Sequence, residues 1–418
     1  MIDDRVPMHS LAPFRSAERV KEGTPMNDKN SVIELLGNRK ICICDSTITF
    51  GEQAAGVIFS DLERYRMAQL LDEAGVPQIT VGMPMLGESE KRAVRRIARL
   101  GLGTSIMSWN RADIDDINAS IESEVDAVTI SIGTSDHQLR NVYNQDRQWV
   151  IDMIGSSVSY AVEHGLYVSC VAEDAPNTDL GFLIDFAKVA KAAGADRFGY
   201  CDSIGCEDPF SCYDRIKLLN QIVGMPIEII ARNDLGLATA NSLAAVKAGA
   251  RFVTTTSMGI GDRAGFAPLE EVDMSAKHIL RLDSGVNAAK FTEIAEAVSL
   301  ASGREIPAGK AIVGTKIFTQ EAGVSADGVV RDENGQAFDP TEVGAVRSVA
   351  IGKHSGRNTI IAELSQMGMQ IDKETADELL VLLRKACDQM HRGLSRKELF
   401  LLYEDMMNGT DPFDANLN

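Results

Sequence analysis

The stretch Ile41-Cys42-Ile43-Cys44-Asp45-Ser46-Thr47-Ile48-Thr49-Phe50-Gly51-Glu52-Gln53 decides the fold. Its first half is an apolar, β-branched run, which reads as a strand buried on both faces. A doubly wound dinucleotide-binding sheet would follow such a strand with a glycine-rich phosphate turn. Thr47-Ile48-Thr49-Phe50-Gly51 is not one. Counting residues 41–48 as the first, eight such runs recur, the others at 78–83, 104–109, 127–132, 167–172, 197–201, 227–231 and 251–256. Between them lie stretches with apolar residues at three- and four-residue spacing, such as 61–74, 147–164, 180–193 and 237–248. Gly75, Gly101, Gly165, Gly194 and Gly249 close several of these helices, as left-handed C-caps require. Alternating β and α units imply a parallel sheet, and eight of them over about 240 residues predict a closed (β/α)8 TIM barrel.

The barrel is expected over residues 39–283, after an N-terminal extension of residues 1–38. Beyond it the texture changes. Residues 303–356 are rich in Gly and polar residues, with short β-like pieces and the turn signal Asp332-Glu333-Asn334-Gly335. Helices are expected at 359–367, 373–391 and 395–407, the last opened by a capping box on Ser395 and Glu398. The prediction is therefore an α/β barrel followed by a small α+β C-terminal region: a linker covering the barrel mouth (284–356) and a helical subdomain (357–418).

A net charge of −18 excludes nucleic acid and anionic membranes as partners, since both select basic patches. A small anionic ligand would instead need local cations. No apolar run approaches the roughly 20 residues of a membrane span, and residues 1–40 lack a signal-peptide core. The cytoplasm is the expected location. The seven cysteines include Cys42, Cys44, Cys170 and Cys201 inside apolar runs, which reads as small hydrophobes rather than disulfides. Cys42-x-Cys44 has no second Cys or His pair at zinc-site spacing.

Active sites of barrels gather at the C-terminal ends of the strands, and polar residues cluster there. They are Asp45 and Glu52, Arg111, Ser135 and Asp136, Glu173 and Asp174, Asp202 and Ser203, Asn233 and Asp234, and Ser257, Asp262 and Arg263. Asp174 and Asp208 also fit simple helix N-caps.

Taken in order, five motifs resemble one family. They are Asp45-Ser46-Thr47 with Gly51-Glu52-Gln53, Glu173-Asp174-Ala175, Asp202-Ser203-Ile204-Gly205, Asn233-Asp234-Leu235-Gly236, and Gly259-Ile260-Gly261-Asp262-Arg263-Ala264-Gly265. Gly352-Lys353-His354-Ser355-Gly356 completes the set. Together they resemble the 2-isopropylmalate synthase and homocitrate synthase family of metal-dependent barrel acyltransferases. The nearest likeness is to the nitrogen-fixation type of homocitrate synthase, and it runs from about residue 39 to 405. The resemblance implies a barrel in which a divalent metal polarises a 2-oxo acid and an enolised acetyl-CoA attacks its carbonyl.

This chain departs from that pattern where the chemistry sits. The family's first motif, Asp-x-Thr-Leu-Arg-Asp-Gly-Glu-Gln, has Thr49 here for its acid-binding Arg and Phe50 for its metal-binding Asp. Its His-x-His pair falls on Ile230 and Arg232, and the Asn of its Gly-Asn pair on Phe266. Two further histidines, one the family's catalytic base, become Gln320 and Ser325, and a glutamate becomes Thr80. No metal is therefore expected.

Arg232, whose guanidinium cannot be deprotonated in practice, is expected to stand in for the metal against an anionic ligand. The bland reading is a salt bridge to an orphaned carboxylate. Glu173, Glu52 and His354 join Arg232 as candidate catalytic residues, and Asp45, Arg111, Arg140, Ser203 and Asp234 as substrate-binding ones. Two functions follow. One is a metal-independent enzyme making or breaking a carbon–carbon bond of a small 2-oxo or dicarboxylic acid, with an acyl-CoA as a candidate co-substrate. The other is a non-catalytic paralogue serving as a regulatory or heteromeric subunit. The resemblance also implies a homodimer whose C-terminal region covers the partner's barrel, with a heteromer as the variant.

Overall fold

The structure, a computed structural model, describes residues 29–37, 39–321 and 337–410. Ser325, the turn signal at 332–335 and the last eight residues lie outside them, as do residues 1–28. Eight parallel strands close a barrel in chain order: β1 (Cys42–Asp45), β2 (Gln78–Thr80), β3 (Ser105–Arg111), β4 (Ala127–Gly133), β5 (Tyr167–Glu173), β6 (Arg197–Asp202), β7 (Ile227–Ala231) and β8 (Phe252–Thr255). β8 pairs back onto β1. The amphipathic stretches form the surrounding helices, among them Asp61–Glu73, Arg147–Glu163, Leu180–Ala192 and Ala238–Lys247. The five glycines that close the predicted helices all adopt positive φ, the conformation that removes the Cβ penalty at a helix end.

The first strand is shorter than its apolar run. Asp45 Oδ1 accepts a hydrogen bond from Thr47 N at 2.9 Å, turning the chain into a short helix, Thr47–Gly51. Such local side-chain bonds compete with strand pairing. The helix carries Phe50 to the barrel mouth.

The floor of the barrel is ionic. Arg197, with no exposed surface, pairs with Glu228 at 2.7 Å and donates to Gln78 Oε1 at 2.7 Å. Its guanidinium lies 4.6 Å from the Phe252 ring centroid and 5.5 Å from that of Tyr167. Beneath this layer the helix Lys29–Gly37 inserts Val32 and Leu36 among Cys42, Cys44, Tyr167 and Phe252, and so seals the N-terminal end.

After the barrel, β9 (Thr319–Gln320) and β10 (Ser348–Val349) form a small parallel pair. The helices Arg357–Gln366, Lys373–Met390 and Arg396–Met407 build a separate apolar core around Ile360, Leu379, Leu383 and Leu399. The predicted capping box on Ser395 and Glu398 is present. Among the described residues no helix is long and apolar enough to cross a membrane.

Candidate active site at the barrel mouth

Residues far apart in sequence meet at the C-terminal end of the barrel. The chain beyond β7 and the chain beyond β8 touch through an isolated bridge between Arg232 and Phe266. Asn233 N also donates to Gly265 O at 3.0 Å. Gly265 makes this approach possible: its φ is +79°, and a Cβ there would fall 1.8 Å from Gly259 O. Phe266 then stacks on Phe50 with ring centroids 4.7 Å apart and 12° between planes. Val171, Cys201 and Ile230 complete one apolar cluster. An aromatic pair of this geometry adds about 0.5–1.5 kcal/mol beyond its area burial.

Arg232 covers the cluster. Its guanidinium carbon sits 4.6 Å from the Phe266 ring centroid, and Nη1 donates to Asp262 Oδ2 at 3.2 Å and Asp262 O at 3.4 Å. Its Nε is buried with no hydrogen-bond partner. The side chain is 14% exposed, so this cation is largely removed from water yet only partly satisfied.

Phe50, Ile230, Arg232 and Phe266 occupy the positions at which the resemblance would put metal ligands. Two phenyl rings, a branched alkyl chain and a guanidinium offer a cation no donor, and the guanidinium repels one. Among the described residues no group of three or more His, Cys, Asp or Glu is arranged to hold a metal ion. These residues do not fit a divalent metal.

Beside the cluster lies a cavity of about 170 Å³, lined in part by Arg232, Glu173, Ser203 and Glu228. Cavities of about 150 Å³ suffice for a molecule the size of benzene. Glu173, at the end of β5, accepts a hydrogen bond from Ser131 Oγ at 2.6 Å. Ser203 Oγ accepts from Asp174 N at 2.9 Å, with Asp174 held in a left-handed conformation (φ +56°). Asp174 makes no N-cap bond, whereas Asp208 does, accepting from Phe210 N and Ser211 N. At the cavity floor Thr254 Oγ1 donates to Glu228 Oε1 at 2.6 Å, which joins the mouth to the ionic layer below. Burial among these acids pushes the Cys201 thiol well above its usual range.

The structure thus gathers Arg232, Glu173 and Ser203 around this cavity, sets Arg111 at a neighbouring one, and places the other candidates elsewhere. Asp45 is fully buried beneath the mouth, with Oδ2 unpartnered, and burial pushes its carboxyl up to about 7. Glu52 accepts from Phe59 N at 2.9 Å and so clamps a loop, with burial raising its pKa. Arg111 is held by both oxygens of Asp116 at 2.8 Å. Arg140 is 78% exposed and lies 3.8 Å from Asp136. Asp234 takes two hydrogen bonds from Arg263, at 2.7 and 3.0 Å, which hold its carboxyl below the usual range. His354 is exposed, with its backbone N donating to Glu321 Oε1 at 3.2 Å.

Glu228 and Asp262 were not singled out by sequence as partners of buried cations. An acid inside the apolar run Ile227-Glu228-Ile229-Ile230 was the available signal for the first, because a two-faced buried strand leaves no solvent for it.

A profile of the HMGL-like family matches residues 40–298, and one described as homocitrate synthase post-HMGL domain-like matches residues 312–391. The chain is 47% identical to 2-isopropylmalate synthase 2 of Caldanaerobacter subterraneus over 88% of its own length and 97% of that protein's. It is 40% identical to homocitrate synthase 1 of a Nostoc species, over 88% of this chain and 97% of that one. Among solved structures, Bacillus subtilis HMG-CoA lyase superposes with a TM-score of 0.58 at 16% identity, over 64% of this chain and 96% of the lyase, a likeness of fold alone.

Proposed function

The chain belongs to the HMGL-like family, in its homocitrate and 2-isopropylmalate synthase branch, and on that premise we propose that it binds a small 2-oxo or dicarboxylic acid at Arg232 without a divalent metal. The observation that carries this reading is the joint replacement. Phe50, Ile230 and Phe266 fill one another's space, and Arg232 is stacked on them beside the cavity.

Arg232, which lines the cavity, provides a fixed positive charge for a carboxylate or a developing enolate oxygen. Glu173, oriented by Ser131 and lining the same cavity, is the proton carrier of this reading. The synthases among its relatives support an enzyme, and the reaction class is carbon–carbon bond formation or cleavage, with an acyl-CoA as candidate co-substrate. The reading retains a cytoplasmic homodimer. Its C-terminal region has a core of its own and leaves His354 exposed, with Lys353, also exposed, paired with Asp388 at 2.6 Å.

A second reading has its own support. Arg232 is already tied to Asp262, and no histidine lines the cavity among the described residues. This favours a non-catalytic paralogue that binds an acid and regulates or completes an active synthase. Metal-stripped protein incubated with acetyl-CoA and a panel of 2-oxo acids separates the two. The first reading expects thiol release that survives chelator and disappears in Arg232→Ala. Binding without any thiol release would sink the enzyme, and a stoichiometric metal in the purified protein would sink the metal-free premise.

A further inference from the structure

We propose that the mouth carries a second, aromatic-walled subsite that takes the aryl group of the acid whose carboxylate Arg232 holds. The proposal rests on the reading of Arg232 given above and names the substrate class for it. A cavity of about 310 Å³ lies between the ends of β3, β4 and β5 and the start of the helix Arg147–Glu163. It shares Trp109, Ser131 and Glu173 with the Arg232 cavity. Its volume exceeds the roughly 150 Å³ that accommodates a benzene ring.

Both tryptophans of the chain, Trp109 and Trp149, line it, together with Tyr143 and Met153. All four side chains are only half buried, so apolar surface is held open in a concave site. Tyr143 and Trp149 lie with ring centroids 5.3 Å apart, tilted by 40°. Trp109 packs on the Phe50–Phe266 cluster, so one aromatic surface runs from the filled metal position into this cavity.

The local backbone is built to hold that wall. Residues Leu139–Tyr143 form a π-helical turn, which Asn144 ends in a left-handed conformation. Such turns recur at functional sites. Gly133 N donates to the Tyr143 hydroxyl at 3.1 Å, and a Cβ on Gly133 would come within 2.9 Å of the ring. Glycine at the end of β4 therefore lets the tyrosine lie against the strand.

The occupant is an aryl acid rather than a nucleotide. Arg111, the cation at the rim, is pinned by both oxygens of Asp116, and Asp113 lies beside it. Phosphates would find no free positive charge there, whereas a flat apolar ring finds two tryptophans and a tyrosine. Stacking and edge contacts with such rings favour aromatic ligands by their quadrupoles as well as by area.

The two tryptophans give a direct readout with the full chain. Titrating purified protein with phenylpyruvate should quench its fluorescence, and calorimetry should give binding at least about tenfold tighter than for pyruvate. Trp149→Ala should remove that preference while leaving pyruvate affinity unchanged. Met153→Phe, which fills the cavity without deleting an aromatic, should do the same and guards against a folding defect in the first variant. Arg232→Ala should weaken both acids.

Equal affinity for the two acids, or a preference that survives both cavity variants, overturns the subsite. So does displacement of phenylpyruvate by adenosine 3′,5′-bisphosphate, which would assign the cavity to a nucleotide. A preference that vanishes in Trp149→Ala while Arg232→Ala leaves both acids unaffected keeps the subsite and overturns the role of Arg232. No binding of either acid overturns both.

Discussion

Two arginines of the barrel keep similar company and differ in what they have left to give. Arg197, at the floor, uses Nε and Nη2 on Glu228 and Nη1 on Gln78, between the rings of Phe252 and Tyr167. Arg232, at the mouth, stacks on Phe266 and spends only Nη1 on Asp262, while Nε has no partner. A buried guanidinium with all three nitrogens engaged is structural, because a ligand would have to displace bonds already made. One that is desolvated but incompletely matched retains affinity for an anion. Guanidinium placement alone does not distinguish structure from function. The count of satisfied donors does.

The contrast can be broken first at the floor. Glu228→Ala leaves Arg197 charged, buried and unpaired, and should cost about 3–5 kcal/mol in chemical denaturation. A loss near 1 kcal/mol would mean that Arg197 reaches water and that the floor is not sealed. Arg232→Ala should lower stability by only about 1 kcal/mol, through a partly exposed ion pair and one cation–π contact. Its effect belongs to binding, where losing charge-assisted donors should weaken a carboxylate ligand about 30- to 100-fold by calorimetry. An effect of several kcal/mol on stability, with binding intact, would make the two arginines equivalent.

Asp45 sharpens the same comparison with a buried charge that has no cation. Its ordinary value of 3.8 is raised to about 7, first by burial. Between those values the folded protein holds a proton that the unfolded chain releases. Stability should therefore fall as pH rises through that window and level off above it, by an amount on the order of a few kcal/mol. Asp45→Asn should flatten that slope in thermal melts at pH 5 and 7.5, and an unchanged slope would show that other buried acids carry it. The smallest expected effect is at Arg140, whose replacement by Ala should move stability by less than about 0.5 kcal/mol and leave acid binding unchanged.

Much of the architecture was legible along the chain. β7 spans the predicted residues, β4 to β6 each run one residue past theirs, and the capping box on Ser395 stands where the spacing placed it. β1, expected to run to residue 48, was overestimated because Thr47 and Ile48 are good strand residues, whereas the Asp45 side chain bonding to Thr47 N starts a helix there. The site was legible as a list of substitutions and not as a shape. Order of motifs could align Phe50, Ile230, Arg232 and Phe266 with ligand positions. It could not show that the two rings stack or that the guanidinium lies on one of them. Asp45, Glu52, Arg111, Arg140 and Asp234 share the chemistry of Glu173 or Arg232, and sequence position alone could not tell a clamp or surface ion pair from a cavity-facing group.

Periodicity and glycine placement determined the barrel by themselves, because local hydrogen bonding and the need to bury an apolar face act over a few residues at a time. Tertiary structure alone decided which charges are spent, since partnership depends on atoms brought together from strands as distant as β1, β7 and β8. The same closure turned Phe50, Ile230 and Phe266 into one apolar cluster beneath Arg232, and it set both tryptophans around a single cavity next to it.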